Sequence, residues 1–157
     1  MTDHVVTHAT FTLERRYAAP PATVFAAWAD PTAKARWFAG PDAEHELDFR
    51  VGGREVNRGR SAGGAVLTFE SWYRDIVQDE RIVYTSTLSE GPDLATVSLT
   101  TVEFHPEDGG TRVLLTEQGT FLDGREEAAW REQGTGRWLD ELAAELRQPR
   151  QNSTERP

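Results

Sequence analysis

A chain of 157 residues with 38% hydrophobic and 10% aromatic residues is long enough for one domain with a sizeable core; a domain of this length buries roughly 70% of the surface its unfolded chain exposes. Its formal charge of -9 argues against a nucleic-acid or membrane-surface partner, because phosphate backbones and anionic lipid both attract a positive field. The absence of cysteine excludes disulfides and thiolate chemistry, and residues 1–4 lack a basic region followed by an apolar core, so a cytoplasmic location with no membrane span is expected.

The first predicted element is a strand over residues 10–17, with Phe11, Leu13, Arg15 and Tyr17 on one side and Thr10, Thr12, Glu14 and Arg16 on the other. Pro20-Pro21 cannot continue a ladder. Pro21 suits the first position of a helix that carries Val24, Phe25 and Trp28 on adjacent turns. Asp30-Pro31 restarts the chain, with Asp30 as N-cap of a second short helix ending near Phe38, and Gly40-Pro41 stops it.

Six strand-like runs follow. Residues 46–51 and 54–60 flank Gly52-Gly53, a hairpin signal, and residues 65–77 come after the Gly63-Gly64 loop. Asp79-Glu80 leads to residues 81–88, the Glu90-Gly91-Pro92-Asp93 turn to residues 95–104, and a Pro106-to-Gly110 turn to residues 111–121. The last regular element is a helix over residues 125–147, where Trp130, Gly134, Trp138, Leu142 and Leu146 recur every four residues. Such a stripe must be buried, and the concave side of the sheet is the surface available. The expected architecture is therefore α+β, a curved antiparallel sheet of about seven strands gripping a long C-terminal helix. One domain over residues 1–147 is expected, with the polar residues 148–157 as a disordered tail.

This order of elements resembles the helix-grip fold of the SRPBCC, or START-like, superfamily. Glu14-Arg15, Ala19-Pro20, Val24-Phe25, Ala27-Trp28, Asp30-Pro31, Trp37-Phe38, Gly40-Pro41, Arg50-Val51-Gly52-Gly53, Phe104-x-Pro106, Gly109-Gly110-Thr111 and Thr116-Glu117-Gln118-Gly119 resemble the bacterial family related to the C-terminal domain of the activator of the heat-shock-protein (chaperone) ATPase. The resemblance runs from about Thr10 to Leu146. It implies a cavity between helix and sheet of the kind the superfamily uses for apolar ligands. It does not imply one reaction. Family members often carry Gly-Trp in the last helix, whereas here Gly134 precedes Thr135 and Trp138 follows one turn later. Relatives are often homodimers, although no helix here shows a second apolar stripe that would require one.

Arg15 and Glu117 lie on the apolar sides of the first and last strands, which are neighbours in the resembling fold, so the two are expected to meet inside the cavity. They would form a buried ion pair that closes the sheet, or orient a ligand or serve in acid/base chemistry. The aromatic candidates for the lining are Tyr17, Trp28, Trp37, Phe38, Phe49, Phe69, Tyr73, Tyr84, Phe104, Trp130 and Trp138, with Gly134 beside them. Core packing alone also accounts for aromatic residues at these positions. Arg54, Arg58 and Arg60 read as a solvated strand face. The four histidines lack metal-ligand spacing, no Gly-x-Ser-x-Gly elbow or Gly-x-Gly-x-x-Gly loop occurs, and so no metal or cofactor is expected and no catalytic residue is assigned. The leading expectation is a cytosolic binding protein for an apolar or aromatic small molecule. An enzyme on the same scaffold, of polyketide-cyclase or hydrolase type, and a chaperone-interacting module are the alternatives.

Overall fold

The structure is a computed structural model that describes residues 4–148. The expected polar tail lies, apart from Gln148, outside the described residues. In chain order the elements are β1 (Val6–Tyr17), α1 (Pro21–Ala29), α2 (Pro31–Lys34) with a π-helical turn at Ala35–Ala39, β2 (Glu44–Leu47), β3 (Arg54–Arg60), β4 (Val66–Val77), β5 (Arg81–Glu90), β6 (Asp93–Glu107), β7 (Gly110–Leu122) and α3 (Ala128–Arg147). The seven strands form one antiparallel sheet in the order β1-β7-β6-β5-β4-β3-β2. This is the helix-grip arrangement, with α3 held against the sheet's inner face and α1 and α2 inserted after β1. No described helix is long and apolar enough to cross a membrane.

Local chemistry explains the entry into α2. The Asp30 carboxylate accepts a hydrogen bond from the Ala33 amide at 2.9 Å, and Pro31 occupies the first helical position, where its missing N–H costs nothing. The helix then widens into the π turn, which ends at Gly40 with φ of 87°. That turn brings Trp37 and Phe38 together into the core, where Trp37 packs on Trp28 at 4.9 Å and Phe38 on Trp138 at 4.4 Å between ring centroids.

Three expectations are corrected. Gly52-Gly53 is not a two-residue hairpin: β2 ends at Leu47, paired with Glu55, and residues 48–53 form a longer connection. The Gly52 amide donates to the Tyr73 carbonyl and the Tyr73 amide to the Gly53 carbonyl, and a Cβ on Gly53 would stand 2.1 Å from the Asp48 carbonyl oxygen. Gly53 thus serves a close backbone approach, whereas Gly52, with φ of 85°, occupies the turn that the Gly53 amide closes on the Arg50 carbonyl at 2.7 Å. The last helix starts at Ala128 instead of Arg125, and its buried face is rotated from the expected stripe: Trp130 is 56% exposed, while Arg131, Thr135, Gly136, Leu139 and Leu142 are buried. Trp130 therefore lines no interior space. Gly134 is half-buried, and a Cβ there would meet nothing nearer than the Arg137 side chain at 3.9 Å, so no close packing demands a glycine at this position.

Candidate functional site

The inner face of the sheet is built in rows, because directly paired residues on adjacent strands point to the same side. One row is small: Ser71 on β4 pairs with Ser86 on β5, Ser86 with Ser98 on β6, and Ser98 with Gly119 on β7. All three serines are buried. On one side runs Phe69, Leu88, Thr96 and Phe121; on the other runs Tyr73, Tyr84, Thr100 and Glu117. Ser71 and Ser86 share a hydrogen bond of 2.7 Å between their hydroxyls, whereas the Ser98 hydroxyl has no partner. At the β7 end the trough closes, since a Cβ on Gly119 would strike the Phe121 ring at 2.8 Å.

A buried carboxylate stands at each end of this region. Glu55, on β3, pairs directly with Ser71. Its Oε1 accepts from Lys34 Nζ at 2.9 Å and from the Tyr73 hydroxyl at 2.7 Å, and its Oε2 accepts from His45 Nε2 at 2.7 Å. Lys34 is itself sealed, with its ammonium 4.6 Å from the Phe38 ring centroid and 5.1 Å from that of Trp28. Burial alone would raise the Glu55 pKa, but Lys34, His45 and Tyr73 together outweigh it and hold the group at about 2. Burial and the adjacent carboxylate push the Tyr73 phenol upward.

The second carboxylate is Glu117. Its Oε1 accepts from the Thr100 hydroxyl at 3.1 Å, and Arg131 Nε of α3 lies 3.4 Å from its Oε2 without forming a hydrogen bond. The same Arg131 nitrogen is 3.2 Å from Glu126, whose carboxylate also accepts from Thr96. The side chains of Arg131 and Glu117 are 3% and 5% exposed, and the guanidinium sits 5.5 Å from the Phe69 ring centroid. Arg131 thus spans from β7 to β4, the strands that flank Ser86 and Ser98. Glu117 Oε2, Arg131 Nε, Arg131 Nη2 and the Ser98 hydroxyl are all buried without hydrogen-bond partners. Burial pushes the Glu117 carboxyl upward, and the attraction of Arg131 and the Thr100 bond only partly offset it.

The expected meeting of Arg15 and Glu117 does not occur. Across the β1–β7 ladder Arg15 pairs with Val113 and Glu117 with Phe11, so the two stand four residues apart along the strands. Arg15 turns to α3, where its Nε donates to Asp140 at 3.0 Å, and it lines an outer cleft of about 640 Å³ with Leu13, Gly136 and Arg137. Glu117 takes Arg131 instead. Among the aromatic candidates, Trp28, Trp37, Phe38, Tyr73, Tyr84, Phe104 and Tyr17 are buried, and Phe49, Phe69 and Trp138 are partly buried against the same core. Tyr17 is spoken for by its hydrogen bond to the Leu139 carbonyl at 2.8 Å. Arg54 and Arg58 are surface residues paired with Glu70 and Glu44, as a solvated face requires.

Sequence reasoning missed Lys34, His45, Glu55 and Arg131. For Glu55 the strand pattern gave no signal, since Glu55 and its neighbour Val56 are both buried and β3 shows no period-2 alternation. For Lys34 and Arg131 there was none either, because long cations near helix ends are ordinarily solvated.

The family model described as Activator of Hsp90 ATPase homolog 1-like protein matches residues 18–147. The chain belongs to this family. Its fold is shared with an uncharacterized protein of Rhizobium leguminosarum at a TM-score of 0.89 and 41% identity, over 92% of this chain and 98% of that one. A Rhizobium loti protein aligns at a TM-score of 0.85 and 46% identity, over 90% and 99% of the two chains. A Chromobacterium violaceum protein follows at 0.74 and 28%, over 89% and 99%. No curated protein matches significantly. For an Activator of Hsp90 ATPase homolog 1-like chain, the START-like scaffold is consistent with small-molecule binding.

Proposed function

We propose that this protein binds a small molecule with an apolar or aromatic body between α3 and the inner face of the sheet. The observation that supports this most is the row Ser71, Ser86 and Ser98, buried beneath the helix between two rows that carry phenylalanine and tyrosine. A core built only for stability places branched or aromatic side chains at the centre of such a sheet, because interiors pack to crystal-like density. Three hydroxymethyl groups in register leave the middle of the inner face shallow while Phe69, Tyr84 and Trp138 stand beside it. Binding energy would come mainly from apolar burial, at about 25 cal/mol per Å² before ordering costs. The Glu117–Arg131 pair, rather than Arg15, supplies the polar contact.

The test is a thermal unfolding series with 2-ethylnaphthalene against the purified chain and a Ser86→Val/Ser98→Val variant that fills the row. At a hundredfold excess over the dissociation constant, stabilisation of about 2.7 kcal/mol raises the midpoint of the parent by ~5 °C or more. The filled variant keeps its own midpoint and loses the shift. A parent that never shifts, or a variant that shifts as much as the parent, refutes the reading.

A further inference from the structure

The polar end of this region defines what kind of group the bound molecule carries there, an inference that rests on the binding reading above. Four buried atoms without partners lie on the facing stretches of α3, β6 and β7: Arg131 Nε and Nη2, Glu117 Oε2 and the Ser98 hydroxyl. Ser98 lies one inward position along β6 from Thr100, which holds the other Glu117 oxygen. Leaving such atoms buried and unpaired is costly, most of all where they are charged. The set contains donors on Arg131, an acceptor on Glu117 and a hydroxyl that can be either.

Charge narrows the choice further. Arg131 already lies within 3.4 Å of Glu117 and 3.2 Å of Glu126, so two carboxylates face one guanidinium. A third anion would enter against a net negative group in a medium where such repulsion is weakly screened. A cation would be repelled by the guanidinium and would leave Arg131 Nη2 without an acceptor. A neutral group avoids both costs if it offers a carbonyl oxygen to Arg131 and an N–H or O–H to Glu117. The raised Glu117 carboxyl agrees, because it marks a site that resists additional negative charge.

We infer that the Glu117–Arg131–Ser98 site takes a neutral group in which a carbonyl stands beside an N–H or O–H, as in a carboxamide or lactam, borne on an aromatic or apolar body. The body lies toward Phe69, whose ring faces the guanidinium. The guanidinium and the carboxylate then act as a fixed donor and acceptor, and no bond is made or broken.

Three probes of matched shape separate the possibilities: 2-naphthamide, 2-naphthoate and 2-ethylnaphthalene, titrated by calorimetry at pH 7. The amide is expected to bind about tenfold or more tightly than the hydrocarbon, the worth of one hydrogen bond to a charged group, and the carboxylate more weakly than the amide. In Arg131→Met/Glu117→Leu, which replaces the pair by side chains of similar size, the amide loses its advantage while the hydrocarbon still binds. Should that variant not fold, Ser98→Ala is expected to weaken the amide several-fold and leave the hydrocarbon unchanged. Equal affinity for all three probes means that water satisfies these atoms, and it overturns the inference while binding itself stands. Preference for the carboxylate overturns it in favour of an anion site. Failure of all three to bind removes the binding reading and the inference with it.

Discussion

Glu55 and Glu117 are both sealed inside the same sheet, and they differ in almost everything else. Glu55 has three donors, two of them on its Oε1, and a pKa held at about 2. Glu117 has one hydrogen bond, an arginine nearby at 3.4 Å and a pKa pushed upward. A buried charge is tolerated when its partners replace the water it lost. Glu55 meets that condition within the chain itself, joining β3 to α2, β2 and β4. Glu117 does not, and under the proposed binding function the difference separates a fastening from a contact held for a ligand.

The largest effect expected is at the fastening. Glu55→Gln leaves the Lys34 ammonium buried without its counter-charge and should cost about 3–5 kcal/mol, read as a lower urea midpoint with unchanged slope. Lys34→Met should cost nearly as much, and the double variant less than the sum, since both remove one interaction. The acid limb provides a second reading. Because the folded pKa of Glu55 lies below its ordinary 4.5, its contribution is complete above about 4.5 and is lost as the pH falls toward 2. In Glu55→Gln that part of the pH dependence disappears. If Glu55→Gln were as stable as the parent, the two carboxylates would not differ in the way described.

Tyr73→Phe sharpens the same point at a smaller scale. It deletes one of the two bonds to Glu55 Oε1 and keeps the ring that packs on Phe49 at 5.0 Å and Tyr84 at 5.8 Å. A hydrogen bond to a charged group is worth about 1.5–3 kcal/mol, so the variant should lose that much. Its acid limb should also be smaller and level off at a higher pH, because Glu55 then loses one of the groups that depress its folded pKa while the onset near 4.5 stays.

How far each carboxylate was legible in the sequence follows from what surrounds it. The strands, their turns and the helix that closes the sheet were readable, because period-2 runs, glycine turns and a helical stripe report on the backbone's own neighbours, whereas the placing of β1 beside β7 came from the resemblance to the helix-grip fold. The inward side of Glu117 was readable for the same reason, from Val113 and Leu115 on its strand. Its partner was not. Pairing Arg15 with Glu117 assumed that residues on neighbouring strands meet, but the β1–β7 register sets Arg15 against Val113, four residues away. The true partner comes from α3, whose buried face is turned by one residue so that Trp130 is outside and Arg131 inside. A four-residue repeat drifts around a helix, which turns 3.6 residues per turn, and cannot tell position 130 from 131. Glu55 was hidden more deeply, since its donors converge from α2, β2 and β4 and share no spacing along the chain.

The smallest stability effect is expected at Glu117 itself. Glu117→Gln keeps the shape and the Thr100 contact, and Arg131 retains Glu126 at 3.2 Å, so the free energy of unfolding should change by less than about 1 kcal/mol at pH 7. The sign of its pH dependence is opposite to that of Glu55. A carboxyl whose folded pKa lies above 4.5 holds its proton more tightly when folded, so its contribution to stability grows as the pH falls toward 4.5 and declines as the pH rises through the folded pKa. Subtracting the Glu117→Gln curve from the parent's should therefore leave a component that weakens with rising pH above 4.5, where the Glu55 component is flat. A loss comparable to that of Glu55→Gln would mean that Glu117 fastens the fold as Glu55 does, and that its open hydrogen-bonding capacity is not held for a ligand.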